Sequence, residues 1–256
     1  MMPSLFIAHG APTIVMEEGP YPRMLESLAA RYPKPSAIVL FSAHWESDVQ
    51  QISAGEQYEM IYDFYGFPEQ MYRMVYPAKG NPELASEIQQ LLQRQGVESK
   101  LNTGRGMDHG AWTILKLIYP QADIPLIVLS VAPNLSPGDQ YKIGQALAPL
   151  RKKGVLIIGS GGTVHNLRRI NWQATAPDTW AVEFDHWVER TLMTWDLKAL
   201  FAYEAEAPYA KEAVPANEHF IPLIYAMGAA DGTRQASLIH RSYEYGSLSY
   251  TIWQFT

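Results

Sequence analysis

The chain has 256 residues, 47% hydrophobic and 18% charged, with 18 glycines and 18 prolines; this is a folded globular composition and excludes a disordered one. Lys and Arg total 20 against 26 Asp and Glu, a net charge of −6, so no extended nucleic-acid contact is expected. Cysteine is absent, which excludes disulfides, thiolate metal sites and a cysteine nucleophile.

The start, MMPSLFIAHG, has neither the basic lead nor the long apolar stretch of an export signal, and no apolar run is long enough for a membrane span. The expectation is a cytoplasmic protein with no membrane contact. Surface scaling gives about 11,000 Å² exposed after folding, enough burial for one full core.

Short apolar runs rich in Val, Ile and Leu predict strands buried on both faces. In chain order they are Ser4 to Ala8, Ala37 to Ser42, Pro125 to Ser130 and Val155 to Gly159. Helical periodicity fills the spaces between them. Asn81 to Gln95 carries Leu84, Ile88, Leu91 and Leu92 on one face, with Asn81 as cap, Pro82 in the first turn and Gly96 as stop. His109 to Tyr119, Gly138 to Leu150, Asp178 to Thr194 and Glu218 to Met227 read as further helices, and Ala236 to His240 and Ser247 to Phe255 as closing strands. Strands and helices alternate, then helices and two strands follow. This predicts one α/β domain over residues 1–256, with a central, mainly parallel or mixed β-sheet flanked by helices. Gln57 to Gly80 and Asn102 to Asp108 are the irregular stretches, the first dense in Tyr, Phe, Met and Pro and expected to wall or lid a pocket. The basic run Arg151-Lys152-Lys153 reads as solvated surface, while Arg168 and Arg169 lie near the expected site as candidate anion contacts.

The histidines carry the chemical signal. His9, His44 and His165 each follow a predicted strand, where the ligand crevice of an open α/β sheet lies, and His109 and His219 open helices. His186 and His240 read as structural. Imidazole suits Fe, Zn, Cu and Ni, and three ligands with open positions make a catalytic centre. Histidines left over can move protons. Asp108 and Glu218 are candidate partners for the imidazoles. GSGG at residues 159–162 lacks the spacing of a dinucleotide fingerprint and the GK[ST] of a P-loop; it is expected to form a tight turn that aims His165 inward. No GxSxG elbow occurs around Ser42 or Ser160.

Seven blocks in order now resemble one family: LFIAHGAP (5–12), VLFSAHW (39–45), YDFYGFP (62–68), MDHGAW (107–112), SGGTVHNL (160–167), EHFIPLIYAMGA (218–229) and YGSLSY (245–250). The chain is similar to the class III extradiol ring-cleavage dioxygenases, in the small single-chain branch of the 4,5-DOPA extradiol type. That resemblance implies a non-haem Fe(II) held by His9, His44 and His219, with Zn(II) able to take its place in crystals. Glu218 is the alternative to His219, because better-known members use two histidines and a glutamate. It also implies His165 as the acid–base residue, His109 as a second active-site histidine, and a small aromatic diol, DOPA-like, with O2 as substrates. Asp63, Tyr62, Phe64 and Phe67 are expected to contact the substrate. A zinc-dependent hydrolase on the same three histidines is the alternative activity. Monomer and homodimer are both open.

Overall fold

The computed structural model describes residues 1–256. Eight strands form one sheet: β1 (Ser4–Ala8), β2 (Ala37–Glu46), β3 (Gln50–Ser53), β4 (Ser99–Asn102), β5 (Leu126–Val131), β6 (Val155–Gly161), β7 (Ala236–Glu244) and β8 (Leu248–Phe255). Their order is β4-β3-β5-β2-β6-β1-β8-β7. The four central strands, β5, β2, β6 and β1, run parallel, and β8 and β7 close one edge antiparallel. At the other edge β3 is antiparallel to β5 and β4 parallel to β3. The sheet is therefore mixed.

The continuous apolar runs are explained by burial on two faces. Leu5, Ile7, Ile38, Leu40, Leu126, Val128, Leu156 and Ile158 pack into one core. That core takes in α1 (Pro20–Leu28) and α3 (His109–Ile118). Their alternating neighbours Val39, Phe41, Ile127, Leu129, Val155 and Ile157 face the opposite core, with α2 (Pro82–Arg94) and α4 (Pro137–Lys152). A third core, around Phe6, Trp253 and Phe255, packs under α5 (Thr179–Met193). Three short helices follow, α6 (Leu197–Phe201), α7 (Tyr203–Glu206) and α8 (Ala210–Ala213), and α9 (Ile221–Gly228) lies buried against the sheet. The exposed surface is 11,253 Å², as the scaling law anticipates. Asn81 caps α2 by accepting from the Leu84 N–H at 2.9 Å, as its sequence indicates.

Three differences from the sequence reading have physical causes. The short strands β3 and β4 are only four residues each and carry no buried apolar run, so periodicity misses them. Arg151 belongs to a basic run but is 2% exposed: its guanidinium donates to the carbonyls of Met2, Ala229 and Phe255 and ties both chain ends to α9. The GSGG segment is not a tight turn. Gly159 and Gly161 lie within β6, and a Cβ there would sit 2.0 Å from the Pro222 carbonyl oxygen and 2.1 Å from that of His219. Glycine lets the start of α9 rest directly on the strand.

Gly159→Ala is accordingly expected to destabilise the fold by about 1–3 kcal/mol or more. Gly232→Ala, where nothing lies within 4 Å of the added carbon, should leave stability unchanged or raise it by up to about 1 kcal/mol. Denaturant midpoints of the two variants check the contrast.

Candidate metal centre and substrate cavity

Adjacent parallel strands bring distant histidines together at their carboxyl ends. His9 follows β1 directly, and its N–H donates to the Gly161 carbonyl on β6. His44 lies in the last part of β2, where the register with β5 slips between Phe41 and Glu46; such irregularities re-aim a side chain. His109 is the first residue of α3, and His219 sits in the turn just before α9. His165 stands on the loop after β6, held by its N–H to the Ala213 carbonyl.

All five rings converge. The His9 and His44 Nε2 atoms are 3.0 Å apart. Ring centroids are 5.1 Å apart for His9 and His219, 4.9 Å for His44 and His219, and 4.1 Å for His44 and His109. His165 stacks on His219 at 3.5 Å with the planes 8° apart. Ligand atoms of His9, His44 and His109 lie within 4.8 Å of one another, and so do those of His165, Glu218 and His219.

Hydrogen bonds on the outer nitrogens decide what the inner ones offer. Ser160 gives its only hydroxyl proton to the Gly110 carbonyl at 2.5 Å, so its oxygen accepts from His9 Nδ1 at 3.0 Å. Asp63 Oδ1 accepts from His109 Nδ1 at 2.8 Å and from the His109 backbone N–H at 3.1 Å. Asp63 Oδ2 faces His44 Nδ1 at 3.3 Å, and Glu218 Oε1 accepts from His219 Nδ1 at 3.0 Å. The Nδ1 atoms of His9, His109 and His219 thus carry the proton, leaving the Nε2 lone pair for the interior, and the Asp63 carboxylate beside His44 Nδ1 favours the same tautomer there. His219 Nε2 is buried with no partner.

This donor set fits a metal ion. Two lone pairs facing each other at 3.0 Å repel unless a cation joins them. Two nitrogens about 2.1 Å from one ion and at right angles lie about 3.0 Å apart. A mononuclear centre rich in imidazole follows, of the kind that suits iron or zinc.

Electrostatics keeps the rings in their ligand form. Burial, then the neighbouring imidazoles, hold His9 and His219 well below the usual histidine range. Burial lowers His44 to about 4 against the opposing pull of Asp108, Asp63 and Glu218, and lowers His165 to about 2. Burial raises the Asp63 carboxyl, but the hydrogen bonds and charge of His109 outweigh it and bring it to about 2.

A cavity of ≈ 540 Å³ is lined by His9, His44, His109 and His165, while the buried His219 is not part of its wall. Of the residues expected to contact substrate, Asp63, Phe64 and Phe67 line it. Tyr62 does not: it stands behind the wall, donating its hydroxyl to the Met74 carbonyl at 2.8 Å. Asp108 bonds Ser42 and Arg105, not an imidazole, whereas Glu218 does hold one. Arg168 and Arg169 are off the wall, with the Arg169 guanidinium 5.5 Å over the Trp180 ring. His186 is exposed on α5, and His240 packs beside Tyr21 at 5.0 Å.

Sequence reasoning missed Ser160 as the partner of His9, and missed Trp172, Tyr245 and Tyr250 as cavity wall. The YGSLSY block carried a signal for the two tyrosines. Tyr250 accepts from the Ala11 N–H at 3.1 Å, and its ring fills the space beside Gly10, where a Cβ would lie 2.8 Å away. Gly10 has φ +67°, so glycine there meets both the left-handed backbone and the close ring.

The neutral imidazoles fix the acid sensitivity of the metal-free protein. Between about pH 4 and 6.5 the unfolded chain takes up protons that folded His44 and His165 do not, so stability rises with pH across that window. Each ring kept neutral at pH 5 against an unfolded value near 6.5 weighs about 2 kcal/mol. Denaturant unfolding of metal-free protein should therefore show a clear loss of stability from pH 7.5 to pH 5.

Comparison with known proteins agrees with this centre. The family described as the catalytic LigB subunit of aromatic ring-opening dioxygenase matches residues 4–255. The chain is 44% identical to a 4,5-DOPA dioxygenase extradiol of Beta vulgaris over 99% of its own length and 96% of that protein's. It is 37% identical to the 4,5-DOPA dioxygenase extradiol of Escherichia coli (strain K12), covering 97% of this chain and 92% of the relative. A crystal structure of an uncharacterised protein from Escherichia coli K12 superposes with a TM-score of 0.86 at 34% identity, covering 100% of both chains. With the family model matched over residues 4–255 and two groups of candidate metal ligands formed by converging histidines, the chain belongs to the LigB-type extradiol dioxygenases and is an enzyme of that family.

Proposed function

We propose that residues 1–256 form one catalytic domain that opens the ring of a small catechol beside its diol, using Fe(II) and O2, with His9, His44 and His219 as the metal ligands. The observation that carries this reading is the inward Nε2 of these three imidazoles, each with its Nδ1 engaged or faced by Ser160, Asp63 or Glu218. Glu218 supports His219 as ligand by accepting from its outer nitrogen. A second ligand set, with His109 in place of His219, has the grouping of His9, His44 and His109 in its favour. The DOPA-type relatives make a DOPA-like catechol the expected substrate. A reducing cytoplasm, which keeps iron ferrous, is the compartment this chemistry needs.

Bound Fe(II) supplies the chelation of the diol and the activation of dioxygen. The chain's own residues handle protons and water. A diol that binds a metal through both oxygens must lose at least one proton. His165, which lines the cavity, is the acceptor of that proton in this reading and returns it at a later step. His109 offers its Nε2 while its Nδ1 donates to Asp63, whose carboxylate stabilises the ring when it takes up a proton. Phe64, Phe67 and Val164 line the cavity with apolar surface that excludes water around the reacting ring. Both atoms of O2 enter the ring-opened semialdehyde product, so one O2 is consumed per catechol.

Metal-free protein reloaded anaerobically with Fe(II) should consume stoichiometric oxygen with a catechol and form a yellow product; Zn(II) loading should give none. Replacing His9, His44 or His219 by Ala should abolish iron retention, measured by metal analysis of folded protein. His165→Ala should retain iron and lose about 10²- to 10⁴-fold in turnover. Iron lost from His109→Ala but kept by His219→Ala would reverse the choice of third ligand.

Asp63→Asn leaves one acceptor and one donor where two imidazoles each need an acceptor. Iron affinity should fall about 10- to 100-fold, with turnover falling alongside, as read by chelator competition and oxygen uptake.

A further inference from the structure

Several of the large hydrophobic side chains exposed on this molecule meet at one place. Tyr65, Leu167 and Trp172 are 91%, 60% and 73% exposed, and all three line the cavity that His9, His44, His109 and His165 also line. The histidines are buried or half-buried, so they form the floor of the cavity and the exposed apolar side chains its mouth. Phe67, Val164 and Ile170, less exposed, line the same wall with further apolar surface. A volume of ≈ 540 Å³ lies in the range that encloses a drug-sized ligand, and a single-ring diol fills only part of it.

The mouth is held by ordered backbone. Trp172 packs on Tyr245 with ring centroids 4.5 Å apart and the planes tilted by 55°, which leaves an open aromatic corner at the cavity edge. Tyr245 and Gly246 begin the turn between β7 and β8, with left-handed φ of 53° and 83°; for a bulky residue such as tyrosine that conformation is unusual. Two backbone bonds fasten the turn to the segment bearing Trp172: the Asn171 N–H donates to the Tyr245 carbonyl at 3.0 Å, and the Asp178 N–H to the Gly246 carbonyl at 2.6 Å. A tryptophan is thus fixed in water beside other exposed apolar side chains, and clustered apolar exposure of this kind marks a binding surface. Its continuity with the histidine floor assigns that surface to the far end of the ligand that the floor receives. An aryl group there gains ring–ring contact as well as burial, whereas an alkyl group gains burial alone. Arg168, exposed next to Leu167 but outside the wall, is the competing feature at this rim, because a free guanidinium favours a carboxylate.

We infer that the cavity mouth is a subsite for a second aromatic ring: the preferred substrate is a catechol whose ring substituent ends in an aryl group, packed against Trp172 and Tyr245 while the diol lies among the histidines. This rests on the ring-cleavage reading for the position of the diol. Trp172 is the specificity-determining residue, since it offers the most exposed indole face of the corner.

The test uses four catechols: 4-methylcatechol, 4-benzylcatechol, 4-(cyclohexylmethyl)catechol and 3,4-dihydroxyphenylpropionate. Binding to the Fe(II)-loaded protein is measured anaerobically by calorimetry, and oxygen is then admitted to follow turnover. The benzyl compound should bind about tenfold more tightly than the methyl compound, with the cyclohexylmethyl compound between them. In Trp172→Ala protein, whose replaced side chain is exposed, the ratio of benzyl to methyl affinity should fall to about twofold. Equal affinities of the benzyl and methyl compounds, a ratio unchanged by Trp172→Ala, or tightest binding of the acid overturns the subsite even when oxygen is consumed. A cyclohexylmethyl compound that matches the benzyl compound overturns the preference for an aryl group. The expected order of binding without oxygen uptake leaves the subsite standing and overturns the ring-cleavage reading instead.

Discussion

The site depends on where each imidazole sends its outer proton. An isolated histidine has two tautomers, and a cluster of them in a buried cavity would settle by bonding to one another. Here Ser160, Asp63 and Glu218 occupy or face the outer nitrogens, and the inner lone pairs are left to converge. The close approach of His9 and His44 is then tolerable only around a cation. The chain has thus built a binding energy for metal out of a repulsion that it enforces itself.

The fold makes that enforcement rigid. His9, His44 and His165 leave the ends of β1, β2 and β6, which lie side by side in the sheet. His219 reaches the same point because two glycines let the start of α9 rest on β6, and the Gly162 N–H donates to the His219 carbonyl at 2.9 Å. Behind the loop that carries His165, buried Asp185 accepts from Thr163 at 2.6 Å and from Ser249, joining that loop to β8. Burial raises this carboxyl, and the hydroxyl bonds and Arg241 oppose the rise. A buried carboxyl is costly unless satisfied, and here its partners lie on both sides of the seam it closes.

The central strands, the main helices and the five histidines that converge are legible in the sequence, because apolar runs buried on both faces and histidines at element ends leave a one-dimensional trace. What is not legible is short or three-dimensional. β3 and β4 have too few residues to show a period, and the small helices between Leu197 and Ala213 interrupt any helical stripe. Arg151 looks like surface because its partners, Met2, Ala229 and Phe255, lie far away in the chain. Ser160 has the same problem, since nothing around it names His9 as its neighbour. Tyr62 errs in the other direction: it sits in an aromatic block that does face the cavity, and only the path of the loop turns it away.

Asp63 joins two rings that come from distant parts of the chain. One carboxylate holds His109 with one oxygen and faces His44 with the other. The orientation of the two imidazoles is therefore a single property of the loop that carries Asp63, and any shift of that loop is felt at the end of β2 and at the start of α3 together.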